Sequence, residues 1–88
     1  MEIEETYLSG LYVIIPKIVE DCRGFFMEVY REDIYRKQGL LIEKFVQQNQ
    51  SRSTAGVVRG LHFQFNPPLG KLIRIINGQA FVAAVDIR

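Results

Sequence analysis

A single cysteine and a single histidine are all that 88 residues offer to metal or thiol chemistry. Cys22 has no partner for an intrachain disulfide, and a metal site built on several thiolates is excluded. A reducing, cytoplasmic setting fits that usage. His62 likewise has no second imidazole to make a His-x-His pair, and one imidazole with scattered carboxylates is a poor zinc or iron site, so no metal is expected. Neither charge prevails: 11 basic residues stand against 10 acidic ones, for a net charge of +1. The nearest approach to a charge block is Glu2, Glu4 and Glu5. That balance argues against a general nucleic-acid binder and against an anionic-membrane binder. No apolar run approaches the ~20 residues a membrane span needs. The acidic start, MEIEET, lacks the apolar centre of a signal peptide. Repeats and low-complexity segments are missing too, and the length allows one small domain with a limited core.

The rest reads as β-structure. Residues 11–15 (LYVII) form a short apolar run closed by Pro16, and residues 24–30 (GFFMEVY) are aromatic and β-branched in character. Further strands are expected over 45–49, 57–65 (VVRGLHFQF) and 71–76 (KLIRII). The last meets Asn77-Gly78, a type I′ hairpin signal, with 79–88 as the return strand. One segment differs: residues 31–40 (REDIYRKQGL) predict a short helix with Glu32 or Asp33 at its start, Lys37 in its last turn and Gly39 just past its end. Short strands with turn punctuation imply an all-β sandwich or barrel carrying one short helix. The final VAAVDIR still reads as strand, and an unpaired edge invites a partner. The expectation is therefore a domain that is incomplete in these 88 residues, completed by more chain or by a second subunit.

Several residues are suited to chemistry. Strand alternation would put Val58, Gly60, His62 and Gln64 on one face and Arg59, Leu61 and Phe63 on the other. Gly60 leaves room beside His62, whose imidazole titrates in the range that suits a general base. A hydrogen-bonded structural histidine is the plainer alternative. Lys71, opening an apolar strand, is placed to stabilise a developing oxyanion, or is simply a solvated strand end. In DCRGFF, residues 21–26, the Arg23 guanidinium suits phosphate and Phe26 suits stacking on a base or sugar; a plain turn entering a core strand explains the same letters. The amides of QQNQSRS, residues 47–53, can bind sugar hydroxyls or merely solvate a loop.

Taken in order, D-x-R-G-F-F-x-E at 21–28, F-V-Q-x-N-x-S at 45–51, V-x-R-G-L-H-F-Q at 57–64, K-L-I-R at 71–74 and V-D-I-R at 85–88 are more specific than any one of them. The set resembles the dTDP-4-dehydrorhamnose 3,5-epimerase family, over nearly the whole chain. The resemblance implies a cupin-like antiparallel jelly roll that works as a homodimer with exchanged strands and uses no metal or other cofactor. The implied substrate is dTDP-4-dehydro-6-deoxy-glucose, epimerised at C3 and C5 next to its C4 ketone. It assigns His62 as the general base and Lys71 to the enolate oxygen. It assigns Arg23, Phe26, Glu28, Gln47, Asn49 and Arg59 to nucleotide and sugar binding, the first three serving the neighbouring subunit's site. Alternation sets Arg59 opposite His62, so the resemblance also implies a bulge at Gly60.

The chain departs from the family pattern in places. Leu69 stands where a glutamine is usual, and Val82 where an aspartate is frequent. The family's distal carboxylate, which orients the base, and its distal tyrosine acid fall outside these residues. The expectation is the base and much of a binding face without a complete active site. A mono-epimerase or ketoisomerase acting on a related nucleotide sugar, and a non-catalytic binding or dimerisation module, are the competing readings.

Overall fold

The computed structural model describes all of residues 1–88. Its regular elements are four strands, all antiparallel, one short helix and one 3-10 turn, in keeping with an all-β chain that carries a short helix. Two units are distinguished, Met1–Ile42 with Phe81–Arg88, and Glu43–Ala80, and each is described by itself.

In the first unit, β1 (Glu2–Glu5) pairs with β2 (Tyr12–Ile15), Ile3 opposite Ile14 and Glu5 opposite Tyr12. Alternation sorts the side chains. Ile3, Tyr12 and Ile14 are half-buried, while Glu2, Glu4, Val13 and Ile15 face water. The acidic cluster at the start of the chain is thus largely the solvated side of an edge strand. Thr6 stabilises the connection, its Oγ1 accepting from Leu8 N at 3.2 Å while Leu11 N donates to Leu8 O at 3.0 Å. At the other end of the sequence, Arg88 is braced by Asp86 at 2.8 Å and donates to Ser9 O in this same connection.

Pro16 has no N–H to continue the ladder, and the chain turns into a second hairpin. In it β3 (Ile18–Asp21) pairs with β4 (Gly24–Met27), Val19 opposite Phe26 and Asp21 opposite Gly24. Helix α1 (Glu32–Lys37) follows, acidic in its first turn and basic in its last, as the helix dipole favours. Arg36 reaches back one turn to Glu32 at 2.7 Å. Its end is a Schellman motif: Gly39 N donates to Arg36 O at 2.9 Å and Leu40 N to Tyr35 O at 3.1 Å, with Gly39 at φ +79. This closure brings the chain back over the helix, where Tyr35 and Ile42 are the two buried apolar side chains. Tyr35 donates its hydroxyl to Val29 O at 2.9 Å and meets the Tyr30 ring edge-on at 5.1 Å. Burial, with Tyr30 adding to it, pushes the Tyr35 hydroxyl above its usual pKa.

The second unit corrects the sequence reading. The strands expected over 45–49, 57–65 and 71–76 do not form, and neither does the expected return strand over 79–88, most of which belongs to the first unit. The letters there are strand-like, but β-propensity expresses packing against a neighbour, and these segments have no ladder partner. Gly78 takes φ +88, yet a type I′ turn needs positive φ at Asn77 as well, and Asn77 does not adopt it. The missed strands, β1 and β3, err the other way. EIEE has one strand former and IVED two, each beside acidic residues, and they pair with YVII and GFFM.

Candidate functional site

Three of the expected binding residues lie on or just after the second hairpin. The connection between β3 and β4 is the pair Cys22 and Arg23. Asp21 organises it: Oδ1 accepts from Arg23 N at 2.8 Å, and Oδ2 accepts from the Arg23 Nε at 3.1 Å and Nη2 at 2.6 Å. The Arg23 guanidinium is thereby paired with Asp21 although its side chain is 87% exposed. Phe26, directly across from Val19, presents its ring to solvent. Glu28 lies 4.0 Å from Arg31, which also pairs with Asp33 at 2.9 Å. The sequence reading overlooked Asp21, although the signal was present in D-x-R, an acceptor two residues before a turn arginine.

The pairing has an electrostatic consequence. The Arg23 guanidinium, then the Arg23 backbone N–H, hold the Asp21 carboxyl below its ordinary value of 3.8, and Asp21 raises the guanidinium in return. A carboxyl depressed in the folded state stabilises the hairpin fully above its unfolded pKa, and that contribution is lost as pH falls through the folded one. A carbon-detected NMR titration of the Asp21 carboxyl is expected to give a midpoint below 3.8 that returns upward in Arg23→Ala. Identical midpoints in the two proteins would refute the pairing.

The remaining expected residues lie in the second unit. Gln47 Nε2 donates to Asn49 Oδ1 at 3.1 Å, so these two amides are brought together. Arg59 is tied back to the polar loop, Nε donating to Ser53 Oγ at 2.9 Å and Nη2 to Arg52 O at 3.1 Å. The alternation argument for Arg59 and His62 is set aside with the strand it assumed; Gly60, at φ +105, breaks the extended chain between them. His62 and Lys71 are both exposed and share no hydrogen bond with each other. Gln64 Nε2 donates to Pro67 O at 2.8 Å, which shapes the FNPPLG loop ahead of Lys71. Ser53 was not anticipated, and it is what fixes the arginine of R-G-L-H. No three His, Cys, Asp or Glu side chains gather in a geometry that could hold a metal ion.

The sequence profile of the dTDP-4-dehydrorhamnose 3,5-epimerase family matches residues 5–88, and the chain belongs to that family. It is 49% identical over 84 residues to the dTDP-4-dehydrorhamnose 3,5-epimerase of Methanothermobacter thermautotrophicus, covering 96% of this chain and 45% of that protein. Its identity to the Shigella flexneri protein of the same name is 42%, over all of this chain and 49% of the relative. The Neisseria gonorrhoeae protein of that name is also 42% identical, with 26% of its length covered. The chain therefore spans about half, or less, of the length of the curated relatives it matches. No solved structure matches it significantly. No helix is long and apolar enough to cross a membrane.

Proposed function

We propose that these residues form the N-terminal part of a single-domain dTDP-4-dehydrorhamnose 3,5-epimerase of cupin-like jelly-roll form. It acts as a cytoplasmic homodimer on dTDP-4-dehydro-6-deoxy-glucose. The observation that carries this is the family match over residues 5–88, within which R-G-L-H-F-Q at 59–64 contains the chain's one imidazole. Exposed Phe25, Phe26, Leu61, Phe63 and Phe81 support completion by more protein, because apolar surface of this kind is stable only when covered.

The chemistry follows from the acidity of a C–H bond beside a ketone. His62 takes the proton from C3, the C–H electron pair becomes the C3–C4 double bond, and the C4 oxygen gains the negative charge. The Lys71 ammonium stabilises that oxygen. A proton delivered to C3 from the opposite face, by the tyrosine acid that the family resemblance implies outside these residues, inverts the centre and restores the ketone, and the same sequence at C5 inverts the second centre. Arg23 holds a phosphate oxygen of the nucleotide, Phe26 lies against a ring, and Glu28, Gln47, Asn49 and Arg59 take polar groups of the ligand.

The test is solvent deuterium uptake. The full-length protein and the 88-residue chain are incubated side by side with dTDP-4-dehydro-6-deoxy-glucose in D2O, and C3 and C5 are followed by NMR. Deuterium at both carbons is expected with the full-length protein, and little or none with the chain alone. Absence of label from the full-length reaction sinks the reading, and equal rates sink the claim that the chain needs the rest of the site.

A further inference from the structure

We propose that Asp21 is the positioning residue for Arg23: it holds one edge of the guanidinium and leaves the other to meet a phosphoryl group of the nucleotide. The two carboxylate oxygens divide the work. Oδ1 accepts from the Arg23 backbone N at 2.8 Å and fixes the turn. Oδ2 accepts from Nε at 3.1 Å and from Nη2 at 2.6 Å and fixes the side chain. A guanidinium is a rigid planar fork, so a bond to its Nε–Nη2 edge sets the direction of its Nη1–Nη2 edge. Nη1 takes no part in these bonds, and the side chain as a whole is 87% exposed.

The same chain shows what an arginine held in this way can do. D-x-R occurs twice, as Asp21-Cys22-Arg23 and as Asp86-Ile87-Arg88. The second takes the form of the first. Arg88 N donates to Asp86 Oδ1 at 2.9 Å, and the guanidinium bonds the same carboxylate through Nε at 3.0 Å and Nη2 at 2.8 Å. Arg88 Nη2 also donates to an oxygen outside the motif, Ser9 O. A carboxylate-held arginine therefore keeps the capacity to bind a further oxygen. An exposed ion pair adds little to stability, so the use of the Asp21 pair is placement. A long side chain already held at its end has fewer orientations to lose when an anion arrives. The carboxylate also repels a phosphate from the edge it occupies, which favours approach along the Nη1–Nη2 edge. The inference rests on the assignment of Arg23 to the nucleotide phosphate, and deepens it.

The test uses the full-length protein. Asp21→Asn keeps an oxygen that can accept from Arg23 N and removes the one that holds the guanidinium, so the turn survives and the anchoring does not. It is expected to raise KM for deuterium uptake roughly tenfold at unchanged kcat, the mark of a weakened contact remote from the reacting carbons. Asp86→Asn removes the same contact from the other D-x-R and is expected to leave KM in place. An unchanged KM in Asp21→Asn, an equal rise in both variants, or a fall in kcat at unchanged KM overturns the proposal. In an Arg23→Ala background Asp21→Asn is expected to add nothing, and a further rise in KM there means that Asp21 does not act through Arg23. One measurement needs no substitution and so stands even where a variant fails to fold. By NMR, the Arg23 Nε–H proton is expected to exchange with water more slowly than that of free arginine, and exchange at the free rate overturns the anchoring. Arg23→Ala at the parent's KM brings down the assignment of Arg23 to the phosphate. A raised KM in Arg23→Ala beside an unchanged one in Asp21→Asn brings down the positioning alone.

Discussion

Replacing His62 by asparagine in the full-length protein is expected to remove most of the deuterium exchange at C3, a loss of about 10²–10⁴-fold, the usual contribution of a positioned general base. Asparagine is close to the imidazole in size and keeps a polar end, so binding is expected to survive. The sugar nucleotide should still protect the variant thermally in proportion to its concentration, since a ligand that binds only the folded state stabilises it by mass action. This pairing separates the two roles the chain could have. Lost exchange with retained thermal protection identifies His62 as the base. Lost exchange together with lost protection means that the substitution damaged the site as a whole. Exchange at the parent's rate excludes His62 from the chemistry, and Lys71 would then need a different proton acceptor.

Tyr35→Ala is expected to unfold the helix end and the chain that closes over it. Tyr35 is 1% exposed, the more deeply buried of the two core side chains in the chain. Truncation of a buried aromatic costs about 3–5 kcal/mol, which is most of what a small unit has. Two further losses accompany it: the acceptor Val29 O no longer receives the hydroxyl, and the edge-on contact with Tyr30 disappears. Tyr35→Phe isolates the first, keeping the ring and leaving Val29 O without its donor, for about 1 kcal/mol. Thermal unfolding followed by near-ultraviolet circular dichroism reads both variants. An unchanged midpoint in Tyr35→Ala would mean that the small core around α1 contributes nothing to stability.

The helix was legible because everything that defines it lies within ten residues. Glu32 and Asp33 at the start, Arg36 and Lys37 at the end, and Gly39 at the position that must turn left-handed are local instructions, and the Schellman bonds to Arg36 O and Tyr35 O carry them out. Strands carry no such local closure. LYVII and GFFMEVY were recognisable, but their partners EIEE and IVED were not, since a short strand that ends in or is dominated by carboxylates is chosen by the neighbour it pairs with rather than by its own preference. The same dependence explains the opposite error over 57–65 and 71–76, where strand-like letters without a ladder remain irregular.

The candidate site divides in a similar way. Residue types and their order along the chain were enough to place it in an epimerase family, because such motifs record chemistry in one dimension; His62, Lys71 and the binding residues are what that placement proposes. The Asp21 carboxylate bonded to Arg23 and the Ser53 hydroxyl bonded to Arg59 became visible only in three dimensions. Each is a supporting contact whose existence depends on backbone angles and on which way a side chain turns. Composition and spacing specify which groups a chain can offer; how each is held is set by the conformation of the residues around it.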